Sequence, residues 1–258
     1  MTGAVDLNSD MGESFGVYKL GHDAEMLAIV SSANVACGFH AGDPLVMAET
    51  VARAKAHRVD VGAHPSLLDL WGFGRRAIRG EPPEDIEKAV VYQIGALQAI
   101  ATHGGHRVTH VKPHGALGNM AAVEPELATA IARAVRKVDR DLIFVAIAGS
   151  ALERAGAALD LRVAREVFAD RTYQDDGQLT PRKQPGAVLH EADMAAERVL
   201  RMVEERAIRS VNGVKIPVAI DTICVHGDNP AAVEMARTVR ARLERAGVTI
   251  RPLSQLVN

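Results

Sequence analysis

Aromatic side chains are scarce in this 258-residue chain, which has one Trp, three Tyr and five Phe. Any core of ordinary size must therefore be filled mainly by Ala, Val, Leu and Ile. Cysteine is rarer still. Cys37 and Cys224 have no C-x-x-C neighbour and are too few for a disulfide framework, which points to a reducing compartment. No apolar run approaches the roughly 20 residues that a membrane span needs. The N-terminal stretch MTGAVDLNSDMGES has no basic segment leading into an apolar one, so no secretory signal is expected. An excess of positive charge is also missing. Lys and Arg number 30 against 32 Asp and Glu, for a net charge of −2, and nucleic-acid binding is disfavoured. The expectation is a cytoplasmic protein without membrane or nucleic-acid partners.

What is present is a regular alternation. Short β-rich runs occur at Ala4–Asn8, Ala33–Cys37, Asp60–Ala63, Val108–Val111, Leu142–Ala146, Val163–Phe168 and Val218–Val225, with a weaker one at Val248–Pro252. Amphipathic helical segments lie between them, the clearest at Glu84–His103, Glu124–Val138, Glu191–Arg206 and Pro230–Ala246, the last stopped by Gly247. No linker or low-complexity tract divides the chain. One α/β domain spanning residues 1–258, with a mostly parallel sheet, is expected.

Polar residues inside the strands favour a barrel over an open sheet. Strands covered by helices on both faces read as continuous apolar runs. Here Asp6, Asn8 and Asp10 alternate with Val5 and Leu7, and Gly62 and His64 alternate with Val61 and Ala63. His110 and Lys112 share a face, as do Thr222, Cys224, His226 and Asp228. A period of two with one polar face suits a (β/α) barrel of seven or eight strands with a polar lumen. No G-x-G-x-x-G turn or Walker A lysine follows any strand, so no nucleotide site of those types is expected.

Ionisable side chains cluster with Gly or Pro where the strands should end, and in such barrels that end carries the active site. Asp10, His40 and His64 share a layer there and form the candidate set for a divalent metal; without metal, Asp10 is a candidate general base. The absence of an H-x-x-x-H or H-E-x-x-H pattern leaves both readings open. Lys112 within an apolar strand needs a carboxylate or a ligand, and Glu166 is the nearest structural explanation. His114 and His226 are candidate proton donors, with Asp228 as the orienting partner of His226 or as part of a helix cap. Asn8, Glu13 and Glu166 are candidate substrate-binding groups. Arg171, Arg182 and Lys183 lie in the long loop Asp170–His190, a candidate lid whose cations suit an anionic substrate. Cys37 reads as a packed thiol, not a nucleophile.

The segments DLNSDMGESFG, SSANVACGFHAGDP, GAHPS, GFGRR, HVKPHGAL, EVFADRTYQDDGQLTPR and CVHGDNP, in this order, resemble the LamB/YcsF family over about Val5 to Leu253. The resemblance implies a seven-stranded, TIM-like (β/α) barrel related to glycoside hydrolase and deacetylase barrels. It also implies the A subunit of an ATP-dependent 5-oxoprolinase, which converts 5-oxo-L-proline, ATP and water to L-glutamate, ADP and phosphate together with B and C subunits. Two positions depart from the family pattern: Gly118 follows HGAL in place of a tyrosine, and Leu67-Leu68 follow AHPS in place of Phe-Pro. On this reading the partners carry most of the ATP chemistry. Asp10 activates water, alone or on a metal, beside His40 and His64. Lys112 and the loop arginines hold the substrate's anionic groups, and His114 or His226 protonates the departing nitrogen. A stand-alone metal-dependent amide hydrolase or deacetylase, and a non-catalytic lactam-binding protein, are the alternatives. Self-association is left open.

Overall fold

A computed structural model describes residues 3–227 and 229–257. The first half of the chain forms β1 (Ala4–Met11), α1 (Asp23–Met26), β2 (Ser32–Ala36), α2 (Pro44–His57), β3 (Asp60–His64), α3 (Pro83–His103), β4 (Val108–Val111), α4 (Gly115–Val123) and α5 (Pro125–Val138). The second half adds β5 (Ile143–Ile147), α6 (Ala151–Ala158), β6 (Arg162–Phe168), α7 (Ala192–Glu205), β7 (Ala207–Arg209), β8 (Lys215–Pro217), β9 (Thr222–Cys224), α8 (Pro230–Arg245) and β10 (Thr249–Ile250).

Seven parallel strands close on themselves in the order β1-β2-β3-β4-β5-β6-β9, because β9 pairs with both β6 and β1. The expected seven-stranded (β/α) barrel is what the chain forms. The weak last strand is the short β10, which lies beside the start of β1 with Ala4 opposite Thr249. Helices begin where proline pre-sets the first turn: Pro44, Pro83, Pro125 and Pro230. Asp43 also caps α2, accepting from the Leu45 and Val46 amides. The helices pack the outside of the barrel through aliphatic stripes such as Val90, Ile94, Leu97 and Ala101 of α3, all fully buried. Among the largest fully buried side chains only Tyr173 and Phe144 are aromatic, consistent with the aliphatic core expected from composition.

One region differs from the sequence reading. The run expected as a single strand over Val218–Val225 contributes only Thr222–Cys224 to the barrel. Just before it, β7 and β8 form a separate antiparallel ribbon. Its turn contains Asn212-Gly213, with Gly213 at φ +85°, a hairpin signal that the strand–helix alternation overshadows. Pro217 lacks the amide that a central barrel strand needs, and it sits at the end of this two-stranded edge instead.

The lumen is polar, as the alternation requires. At its floor Asp6 accepts from the hydroxyls of Ser31 (2.7 Å), Ser32 (2.6 Å) and Thr222 (2.5 Å). One layer higher, the His110 ring crosses the barrel to Asn34 Oδ1 at 3.0 Å. That crossing needs the bare backbone of Gly62, since a Cβ there would overlap the imidazole.

Burial raises the Asp6 carboxyl to about 7, against the opposing pull of its three hydroxyl donors. The folded state therefore keeps a proton that the unfolded chain, at 3.8, releases. The resulting stability is complete in acid below that value and is lost as pH rises through about 7. Asp6→Asn removes the titration, so its stability relative to the parent should climb between pH 4 and 8, by on the order of 4 kcal/mol. Urea midpoints across that range test this; a difference that does not change with pH contradicts it.

Candidate active site

The upper lumen is organised around one lysine. Lys112, just beyond β4, is buried, and its Nζ lies 2.9 Å from Asp10 Oδ1 and 2.8 Å from Glu166 Oε1. It also donates to Asn8 Oδ1 at 3.2 Å and reaches Cys224 Sγ at 3.3 Å. The pair with Glu166 that the sequence suggests is present, together with the Asp10 contact. Burial opposes the ammonium, but Asp10, with Cys224 and Glu166 beside it, lifts Lys112 well above the usual lysine range. Burial likewise opposes the Asp10 carboxylate; the charges of His64 and Lys112 more than offset it and hold Asp10 well below the usual carboxylate range. Both groups are therefore charged at neutral pH.

Hydrogen bonds around Asp10 run in one direction. Asn34 Nδ2 donates to Asp10 Oδ1 (2.9 Å) and Asn8 Oδ1 (2.8 Å), and Asn8 Nδ2 donates to Glu166 (3.1 Å) and Thr222 (2.7 Å). Asp10 Oδ1 thus receives both Lys112 and Asn34. Its other oxygen, Oδ2, turns to His64 Nε2 at 3.2 Å.

Two imidazoles meet beside that oxygen. His64 Nδ1 donates to the Lys112 carbonyl at 2.6 Å, and His114 Nε2 donates to the Phe73 carbonyl at 2.9 Å. The remaining nitrogens, His64 Nε2 and His114 Nδ1, face each other at 3.0 Å. Burial, reinforced by the neighbouring His40 and His64, pushes His114 well below the usual histidine range, so its Nδ1 carries a lone pair at neutral pH. Two ring nitrogens and a carboxylate oxygen converging this closely need a cation among them, either a proton or a metal. The ligand atoms of Asp10, His64 and His114 all lie within 4.8 Å of one another, a donor set suited to a divalent ion.

The sequence pattern groups His40 with Asp10 and His64. In the structure His114 takes that place. His40 Nε2 sits 3.1 Å from Glu13 Oε1, and its ring stacks on His114 at 3.7 Å between centroids. Glu13 also lies 3.6 Å from His114 Nδ1. Gly74 makes this packing possible, because a Cβ there would collide with Ser66, His114 and His40.

On the opposite side of the lumen, His226 Nδ1 lies 2.8 Å from Asp170 Oδ2. The sequence offers Asp228 as this partner; Asp228 falls outside the described residues, and Asp170 is a further carboxylate partner that the sequence reading does not single out. Burial works against the Asp170 carboxylate, but His226 holds it below the usual range. His226, Asp10 and Cys224 also bring ligand atoms within 4.8 Å of one another.

Asp10, Glu13, His64, Lys112, His114, Glu166 and His226 line an open cavity of about 660 Å³ at the C-terminal ends of the strands. Arg182 and Lys183 are exposed at its mouth, as is Arg75, which the sequence reading does not single out although GFGRR carries it. Arg171 lines the cavity as well. It is buried, with Nη2 2.6 Å from the Thr180 carbonyl and Nε 3.4 Å from that of Ala187, and so pins the loop from within. Cys37 is buried, and desolvation pushes its thiol up to about 12, in keeping with a packing role.

A model of the LamB/YcsF family matches residues 5–258. The chain belongs to this family. A relative from Gluconobacter oxydans (strain 621H), named as the A subunit of 5-oxoprolinase, is 56% identical and covers 97% of this chain and 98% of its own length. A crystal structure of the lactam utilization protein from Thermus thermophilus superposes with a TM-score of 0.90 at 47% identity, over 96% of this chain and 99% of that one. The fold alone is shared with the catalytic domain of a peptidoglycan N-acetylglucosamine deacetylase from Eubacterium rectale ATCC 33656. That likeness has a TM-score of 0.52 at 11% identity, over 98% of this chain and 89% of the other.

Removing the lysine tests the electrostatic account. Lys112→Met leaves Asp10 and Glu166 buried without their cation and should cost about 3–5 kcal/mol in urea unfolding. Adding Glu166→Gln to that variant should recover part of the loss. A Lys112→Met protein as stable as the parent contradicts the account.

Proposed function

We propose that this chain is the A subunit of an ATP-dependent 5-oxoprolinase and that its barrel carries the hydrolytic opening of the lactam ring. The observation that carries the reading is the convergence of Asp10, His64, Lys112, His114 and His226, the last paired with Asp170, on one open cavity. Relatives named as the A subunit of 5-oxoprolinase, similar over nearly the whole chain, support the choice of substrate. The overall reaction is 5-oxo-L-proline plus ATP plus two waters to L-glutamate, ADP and phosphate: one water opens the activated ring, leaving the phosphoryl group on the new carboxyl, and the second releases it as phosphate. Two buried free cysteines suit a cytoplasmic setting.

Amide resonance makes the lactam carbon a poor electrophile, so phosphorylation of the amide oxygen, assigned to the B and C subunits, precedes attack by water. In the barrel, Lys112 and Asn34 fix one oxygen of Asp10 and aim the other at the reacting centre. That carboxylate takes the proton of the attacking water. Asp170 holds His226 through Nδ1, so its Nε2 is the atom that delivers a proton to the departing ring nitrogen. Arg75, Arg182 and Lys183 hold the substrate's anionic groups at the mouth. A divalent cation held by Asp10, His64 and His114 would supply Lewis acidity at the same centre.

Reconstitution with purified B and C subunits tests the reading through 5-oxoproline-dependent ATP hydrolysis and glutamate release. Asp10→Asn should abolish glutamate formation in a folded protein, and His226→Gln should lower it by roughly 10²–10⁴-fold. Full activity in Asp10→Asn, or ring opening of simple amides by the chain alone without ATP, overturns the assignment; the second result would indicate a stand-alone amide hydrolase. The cation is tested separately. Co²⁺ titration should produce visible absorption bands that disappear in His64→Ala and His114→Ala and persist in His40→Ala. Bands that vanish only with His40→Ala would move the site to Glu13 and His40.

A further inference from the structure

In a chain with one Trp and three Tyr, three of those four residues lie at the surface on one side of the barrel. Trp71 is 96% exposed and Tyr18 78%, alongside Leu45 at 81% and Leu68 at 70%. Tyr92, on α3, is exposed as well and reaches Phe39 at 5.6 Å between ring centroids. These residues come from the segments following β1, β2 and β3, which the backbone ties into one surface. Gly42 donates to the Ser14 carbonyl (2.9 Å), Gly16 to Asp43 (2.7 Å) and Asp69 to the Phe39 carbonyl (3.1 Å). Large apolar side chains grouped this way are costly on a free monomer, and Trp and Tyr are the usual anchors of protein interfaces.

We infer that this rim, centred on Trp71, is the docking face for the partner protein that activates the lactam. The inference rests on the 5-oxoprolinase reading above. Three observations select this occupant. Arg75, four residues after Trp71 in the same loop, lines the cavity, so a partner seated on this face can pass a water-labile phosphorylated lactam across without releasing it. The mouth also carries Arg75, Arg182 and Lys183, all exposed and none in an ion pair among the described residues, cations that suit both the anionic lactam handed over and acidic flanks around the apolar centre of the partner that delivers it. A second copy related by a two-fold axis would instead bring these cations toward their own counterparts. Finally, Trp71 belongs to the loop that clamps the site from above. Two residues on, Phe73 holds a left-handed φ of +56°, accepts from His114 through its carbonyl, and sets its ring edge-on against His40 and His114 at 5.5 Å. A strained residue is retained where surrounding contacts define it, so a partner resting on Trp71 bears directly on the histidine cluster.

Sedimentation of the full chain with purified B and C subunits tests the face. Trp71→Ala and Leu68→Asp should each weaken binding at least tenfold while leaving the urea midpoint unchanged. Met194→Asp, an exposed apolar position on α7, should bind like the parent. If the double variant Trp71→Ala/Leu68→Asp binds as the parent does, in a parent complex that hydrolyses 5-oxoproline, this face is wrong and the 5-oxoprolinase reading stands. If the chain alone self-associates and Trp71→Ala makes it monomeric, the occupant is a second copy and the inference fails. A parent chain that neither binds the B and C subunits nor supports turnover removes the 5-oxoprolinase reading and this inference together.

Discussion

The structure depends on keeping a lysine charged inside the barrel. Lys112 is held between Asp10 and Glu166 at 2.9 and 2.8 Å, one cation between two buried carboxylates. Removing the lysine leaves two carboxylates that the surrounding lumen cannot solvate, whereas removing one carboxylate leaves a matched pair. The arrangement joins β1, β4 and β6, strands distant in sequence, and so ties the barrel's closure to the geometry of its upper layer. Stability and chemistry draw on the same contacts.

Around that centre, the lumen works as a one-way set of donors. His110 donates to Asn34, Asn34 to Asp10 and Asn8, and Asn8 to Glu166 and Thr222. Because Lys112 and Asn34 both occupy Oδ1, the second Asp10 oxygen has one direction left to face. His64 and His114 are constrained in the same way, each giving a ring N–H to a backbone carbonyl and turning its other nitrogen inward. Backbone carbonyls thus set the tautomers, and the tautomers set what the site can bind.

The loops above the barrel are held by side chains that point inward. Arg171 grips the carbonyls of Thr180 and Ala187, and the buried Tyr173 hydroxyl accepts from the Phe168 amide at 2.9 Å. The expected lid is thus anchored at its base, with Arg182 and Lys183 carried at its exposed tip. On the facing side, Phe73 and Gly74 close over the stacked histidines. The site is open to solvent at the top and firmly built at the walls.

Much of this is legible in the residues themselves. Alternation in Val5–Asp10 and in Gly62–His64 announces a polar lumen, because side chains on a strand change face at every step, and from that the barrel follows. The proline-led helices and the glycine stop after α8 are equally local signals. The ribbon of β7 and β8 escapes that reading although Asn212-Gly213 marks its turn, since the apolar run beyond it looks like one long strand. Local pattern brings Asp10, His64, Lys112 and His226 to the strand ends, but does not choose their neighbours. That His114 and not His40 joins Asp10 and His64, and that Asp170 holds His226, depends on ring orientation and on which carbonyl each imidazole finds. Those partners lie about 40 to 60 residues away in sequence for His64, His114 and His226, and only the closed barrel brings them within reach.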